Sequence, residues 1–198
     1  MYKGPTIDDF SILAMLPGEL TGLLSRCNGY VAYHGGFHVR GACLTPAWHS
    51  LRYWWFGDTA LHRLFAAVDP DDIPFAEDAL GDQYLLRAGS VHRLSGETGE
   101  IRSLEVNLTE FDKEVRKDPI GYLSLAPLVR FRKDGGSLQP GQLLSVYPPF
   151  VFKESASGVC YQAVSAEERI PALADLARQL RDVPDGTEVT IRVEKPKT

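Results

Sequence analysis

The chain is poor in cysteine, and the few it has are scattered. Cys27, Cys43 and Cys160 are isolated and odd in number. Without a CxxC pair there is no basis for a zinc ribbon, a thioredoxin-like redox motif or a disulfide framework. No stretch approaches the roughly 18 consecutive apolar residues that a membrane-spanning helix requires. The opening residues, MYKGPTIDDF, lack a basic-then-apolar leader. A reduced cytoplasmic setting with three free thiols is therefore expected, and no membrane association. An excess of positive charge is missing too. Lys and Arg number 21 against 26 Asp and Glu, for a net charge of −5. That balance argues against direct nucleic-acid binding, which needs a concentrated basic surface.

The motifs of common chemistries are absent as well. No GxSxG turn lifts a serine out of a strand. The glycine pairs in HGGF and DGGSLQPG lack the lysine and following helix of a phosphate loop, and turn chemistry accounts for them. His34 and His38 lie four apart, but glycines around them argue against a helix that would stack them as metal ligands. His49, His62 and His92 are scattered. Glu77 and Asp78 are adjacent, so on a strand they point to opposite faces and cannot serve one substrate together. Neither a metal, nor a cofactor, nor a catalytic set is expected.

What is present suits one globular domain. The 198 residues are 44% hydrophobic and 24% charged, ordinary values for a single core. Pro17–Cys27 reads as a helix, with Leu20, Leu23, Leu24 and Cys27 as its apolar stripe and Asn28-Gly29 as its stop. YVAYHGGFHVRGAC reads as extended structure turning at its glycines. Thr45-Pro46 is expected to open a helix burying Trp48, Leu51 and Trp55, and helical spacing continues through Leu61, Leu64, Phe65 and Val68. Strands are expected near 74–77, 83–87, 91–94 and 101–104, punctuated by Gly81, Gly89, Gly96 and Gly99. A helix near 109–117 follows, closed by Asp118-Pro119. Further strands are expected at 128–131, 143–147 and 151–153, then a helix from Ala166 to about Asp182. Val189, Ile191 and Val193 alternate as in a last strand. The whole is an α+β domain spanning residues 1–198, a mostly antiparallel sheet flanked by helices.

Charge is concentrated in one place. Asp69, Asp71, Asp72, Glu77, Asp78 and Asp82 fall between positions 69 and 82 with no base among them, which leaves the remainder of the chain at +1. A solvated turn region explains such a run; the sharper reading is an acidic face that steers a basic partner. Rings are concentrated as well, with Trp48, Tyr53, Trp54, Trp55 and Phe56 in nine residues. They cannot all point inward from one helix, and exposed aromatics are common interface anchors. Asp69, Asp71, Asp72, Glu77 and Asp82, with Trp54 and Trp55, are thus the candidate partner-binding residues. Asp78 is set apart because it is placed to hydrogen-bond its own turn.

The segment LPGELTGLLSRCNGY resembles the LP…NG opening of the SUKH superfamily, the cell-wall-regulator-like domains of bacteria. IPFAEDALGDQYLLR is similar to that family's central hairpin, and VHRLSGETGE to the hairpin that follows. The likeness covers about residues 16–105. The Trp48–Phe56 segment and the C-terminal half have no counterpart in it. The resemblance implies an α+β fold and binding rather than catalysis. Bacterial members are typically immunity proteins that neutralise a cognate toxin, often a nuclease, inside the producing cell. An acidic inhibitor would suit such a basic partner. Two other functions stand beside it: an intracellular regulator or scaffold without a toxin partner, and a hydrolase or small-molecule-binding protein using the aromatic cluster as a pocket.

Overall fold

The centre of the molecule is a seven-stranded antiparallel meander, its strands adjacent in space in chain order. The computed structural model describes residues 1–184 and 186–189. The chain opens with a short strand, β1 (Tyr2–Lys3), and a helix, α1 (Phe10–Met15), N-capped by the Asp9 carboxylate. Next is α2 (Gly18–Arg26), with Pro17 at its N-cap and Glu19 in its first turn, where a carboxylate offsets the helix dipole. Then come β2 (Tyr30–Ala32) and β3 (Phe37–Val39), a 3₁₀ turn at Ala47–His49, α3 (Leu51–Trp55) and α4 (Leu61–Leu64). Ser50, not Thr45, caps the helix of the aromatic segment, so what was expected as one helix is a 3₁₀ turn followed by a short α-helix.

The meander continues through β4 (Ile73–Asp78), β5 (Gln83–Arg87), β6 (Ser90–Leu94) and β7 (Ile101–Ser103), close to the expected strands. Then follow α5 (Leu108–Lys117), α6 (Pro119–Tyr122) and α7 (Ala126–Lys133). Asn107 and Glu110 close a reciprocal capping box on α5. Asp118 ends α5 and caps α6 by accepting from the Gly121 N–H. Residues 128–131, expected as a strand, belong to α7. An apolar run of four fits either period, and burial of Leu125 and Leu128 against the larger core selects the helix.

A separate hairpin joins β8 (Gln142–Tyr147) to β9 (Cys160–Ser165), and α8 (Ala166–Leu180) follows, capped by Ser165. Residues 151–153 are not a strand but part of the connection between β8 and β9, where Glu97 accepts the Phe150 and Val151 N–H groups. The expected last strand falls largely on residues 190–198, which lie outside the described residues; Val189 is in no strand. Among the described residues no helix is long and apolar enough to cross a membrane.

Both faces of the sheet are covered, as the fully buried β4 requires. Phe37, Val39, Ala76, Tyr84 and Leu86 face the larger core with Leu20 and Leu24 of α2, Phe111 and Val115 of α5, and Leu128 of α7. Leu85 and Leu94 face a second core with Trp54, Phe65, Leu143, Ile170 and Leu173. A fully buried strand reads as a continuous run, not an alternation, which is why polar residues inside β4 carry a cost that must be offset locally.

Candidate functional site

The six acids of the 69–82 run do not form one surface. Each buried acid is matched by an arginine distant in sequence. Asp72 is buried and held bidentately by Arg87, Nε to Oδ1 and Nη2 to Oδ2, both at 2.7 Å. Asp82 is half-buried, accepting from Arg93 Nε at 2.8 Å and from the Gly96 N–H. Asp78 is buried in the turn before β5, accepting from the Leu80 and Asp82 N–H groups with Arg93 at 3.4 Å. Burial and the neighbouring Asp82 charge raise its carboxyl well above the ordinary range, against the pull of Arg93. Asp69 and Asp71 alone of the six are exposed.

Glu77 is the most deeply committed. The register places His38, Glu77 and Gln83 side by side across β3, β4 and β5, on one face of the sheet. Arg40, just beyond β3, reaches the same face. Its Nη2 donates to Glu77 Oε2 and to Gln83 Oε1, both at 2.6 Å, and its Nη1 donates to the Pro74 carbonyl at 2.7 Å. That carbonyl sits at a β-bulge between Pro74 and Ala76, the sort of break where a proline fits inside a sheet. The Arg40 guanidinium also lies 5.3 Å from the ring centre of Trp54. Burial alone would raise the Glu77 carboxyl, but Arg40 and His38 outweigh it and hold the carboxyl below its ordinary value.

From Glu77 a chain of polar groups runs toward the N-terminal strand. Glu77 Oε1 is 2.8 Å from His38 Nδ1, His38 Nε2 is 2.8 Å from His49 Nδ1, and His49 Nε2 is 2.9 Å from the Asn28 carbonyl. The two rings lie edge to edge and close to parallel, with centroids 5.0 Å apart and planes 22° apart, and Trp48 and Tyr2 pack against them. Neither spacing nor motif in the sequence joins His38 to His49, because sheet register and the 3₁₀ turn bring them together. His34, by contrast, is exposed, so the pair His34–His38 does not form a site. No group of three or more His, Cys, Asp or Glu with metal-binding geometry occurs among the described residues.

Trp54 and Trp55 are core residues, not surface anchors. Trp54 donates from Nε1 to the Trp48 carbonyl and Trp55 to the Pro70 carbonyl. Two large apolar rings with satisfied N–H groups are worth more in a core than on a surface. With Asp72 and Glu77 they leave the partner-binding set, while Asp69, Asp71 and the half-buried Asp82 remain accessible.

Three large apolar residues outside that set are exposed. Phe10 is 70% exposed, Leu44 54% and Phe56 37%. Hydrogen bonds tie their segments together. The Leu44 N–H donates to Asp8, Asp9 N–H donates to the Ala42 carbonyl, Arg52 donates to Asp9 and Ser11, and the Phe56 N–H donates to the Arg52 carbonyl. Exposed acids surround these positions in the chain. Asp8 and Asp58 are sequence neighbours of Phe10 and Phe56, while Asp69 and Asp71 flank the Pro70 that Trp55 binds. Of the three, the sequence singled out only Phe56, since hydrogen bonds between distant segments bring α1 and Leu44 near the aromatic segment.

No family model, curated protein or solved structure matches this chain.

Proposed function

We propose that this chain is a non-catalytic binding protein whose partner is a basic protein surface. In line with its resemblance to the SUKH superfamily, the partner is a bacterial toxin that the chain neutralises inside the producing cell. The observation that carries the reading is the exposure of Phe10, Leu44 and Phe56 on segments that hydrogen bonds through Asp8, Asp9 and Arg52 hold together, with the exposed Asp8, Asp58, Asp69 and Asp71 on the same or adjoining stretches of chain. Exposed apolar side chains among charged ones are a common feature of protein interfaces. Asp58 pairs with Arg63 and Asp69 with Arg87, so Asp8 and Asp71 are the acids that raise the encounter rate with a basic partner, a nuclease among them.

The experiment is calorimetric titration of the chain with the product of an adjoining toxin gene, repeated with Leu44→Asp/Phe56→Asp. Saturable binding that weakens at least ~30-fold in the variant, the loss of about one interface hot spot, is expected. Binding that the variant leaves unchanged removes this surface from the reading. Failure to bind any such product removes the immunity role.

A further inference from the structure

We propose that Glu77, His38 and His49 form a buried site for one additional proton, and that its occupancy seats the N-terminal strand. The chain has three close polar approaches, from Glu77 to His38, His38 to His49, and His49 to the Asn28 carbonyl. Each needs one hydrogen to be a hydrogen bond. Two neutral imidazoles carry two ring N–H groups, and an ionised carboxylate and a carbonyl carry none. With two hydrogens, one approach must set lone pair against lone pair. A third, taken from solvent, completes all three bonds and turns the neutral Arg40–Glu77–His38–His49 group into a monocation. A fourth would oppose two N–H groups between the rings.

The weak link in the two-proton form is always at His49. Glu77 is the strongest acceptor and keeps the His38 Nδ1 hydrogen. His49 then satisfies either His38 or Asn28, not both. Its surroundings make that matter. A Cβ on Gly4, Gly29 or Gly41 would stand 2.3, 2.7 and 2.9 Å from His49 Nε2, so three backbone segments close on that one nitrogen. Gly4 follows β1 and donates its N–H to the Gly29 carbonyl, while Asn28 Nδ2 donates to the Pro5 carbonyl. Tyr2 of β1 packs edge-on against the His49 ring. The first six residues are thus a strap whose footing is His49.

The charged and titratable groups facing the pair are few. Arg40 comes from the β3 side and Glu77 from β4, with Tyr2 from β1; Gln83, Trp48, Trp54 and Asn28 are neutral. Burial lowers the proton affinity of both rings, bringing His49 to about 4, with Glu77 acting in the opposite sense. Uptake accordingly falls below the ordinary histidine value. As two interacting groups the rings titrate as a unit.

Ring-nitrogen NMR of the full chain between pH 7.5 and the acid limit of folding tests this. The expected result is one proton gained across His38 and His49, both rings moving with a single midpoint. Over the same range the Gly4 amide should exchange about two- to ten-fold more slowly relative to an amide of the β4–β5 ladder, the effect of one completed hydrogen bond. Two separable uptakes in the folded protein, uptake by one ring alone, or no uptake before unfolding would overturn the proposal. His49→Gln, which cannot relay a proton, should abolish the Gly4 pH response. If that variant does not fold, the wild-type proton count alone decides.

Discussion

Arg52 grips Asp9 with a parallel pair of hydrogen bonds, Nε to Oδ2 at 2.6 Å and Nη2 to Oδ1 at 2.9 Å. The same carboxylate caps α1 through the Ile12 N–H. A helix start and the aromatic segment therefore meet at one ion pair. Arg52 and the α1 cap pull the Asp9 carboxyl down to about 2. A depressed carboxyl stabilises the fold above its unfolded value near 3.9, and that contribution disappears as pH falls through about 2. Since Arg52 is 43% exposed, solvent screening reduces the gain. Asp9→Asn should cost about 1 kcal/mol at neutral pH and flatten the acid limb of stability between about pH 4 and 2, measured by urea titration.

Glu77→Gln addresses the buried network. It keeps the shape but leaves Arg40, fully buried, with no counter-charge. Breaking a buried pair on one side costs about 3–5 kcal/mol. Denaturant melts should show a loss of that order, and a loss under ~1 kcal/mol would mean that water reaches Arg40.

Two glycine substitutions should have opposite signs. A Cβ at Gly41 would stand 2.5 Å from the Asn28 carbonyl oxygen, whereas one at Gly22 in α2 meets nothing within 4 Å. Gly22→Ala should stabilise by about 0.5–1 kcal/mol through helix propensity. Gly41→Ala should destabilise by about 2 kcal/mol or more, because backbone and His49 must both yield.

The thiols should separate by burial. Cys160 is exposed, Cys27 half-buried and Cys43 buried, and none is in a disulfide. Burial, with Asp8 and Asp9 adding to it, pushes the Cys43 thiol up to about 12. Under native conditions a maleimide should label Cys160 first, with Cys43 reacting only on unfolding; mass spectrometry of labelled peptides reads the order.

A charge change at Asp71 should act on rate, not on folding. Asp71 is exposed and has no ion pair among the described residues. Asp71→Lys should slow association with the basic partner and weaken its salt dependence, since attraction at a surface is screened over ~8 Å at physiological salt. Stability should stay within ~0.5 kcal/mol. Stopped-flow association at two ionic strengths checks it.

Local pattern carried much of the architecture. The four strands between Ile73 and Ser103 follow from short β-branched or aromatic runs cut by glycine turns. The helices α2 and α8 follow from 3.6-residue periodicity, α2 with Pro17 at its start and Asn28-Gly29 at its end. Such signals lie within a few residues of the element they specify. The 128–131 segment and β9 were not legible this way. A four-residue apolar run has no unique period, and a strand beginning Cys160-Tyr161-Gln162 is defined by its partner β8.

The candidate sites were the least legible part, and the acidic run shows why. Composition fixed six acids within fourteen positions, but it could not say which would meet water. Arg40, Arg87 and Arg93 decided that, each carried to its carboxylate by the order and register of the strands. The same register set His38 against Glu77, and a 3₁₀ turn then added His49. Hydrogen bonding and ion pairing act over about 3 Å. Only closure of the sheet brings groups so far apart in sequence within that range, so local pattern determined the strands and tertiary packing determined the chemistry on them.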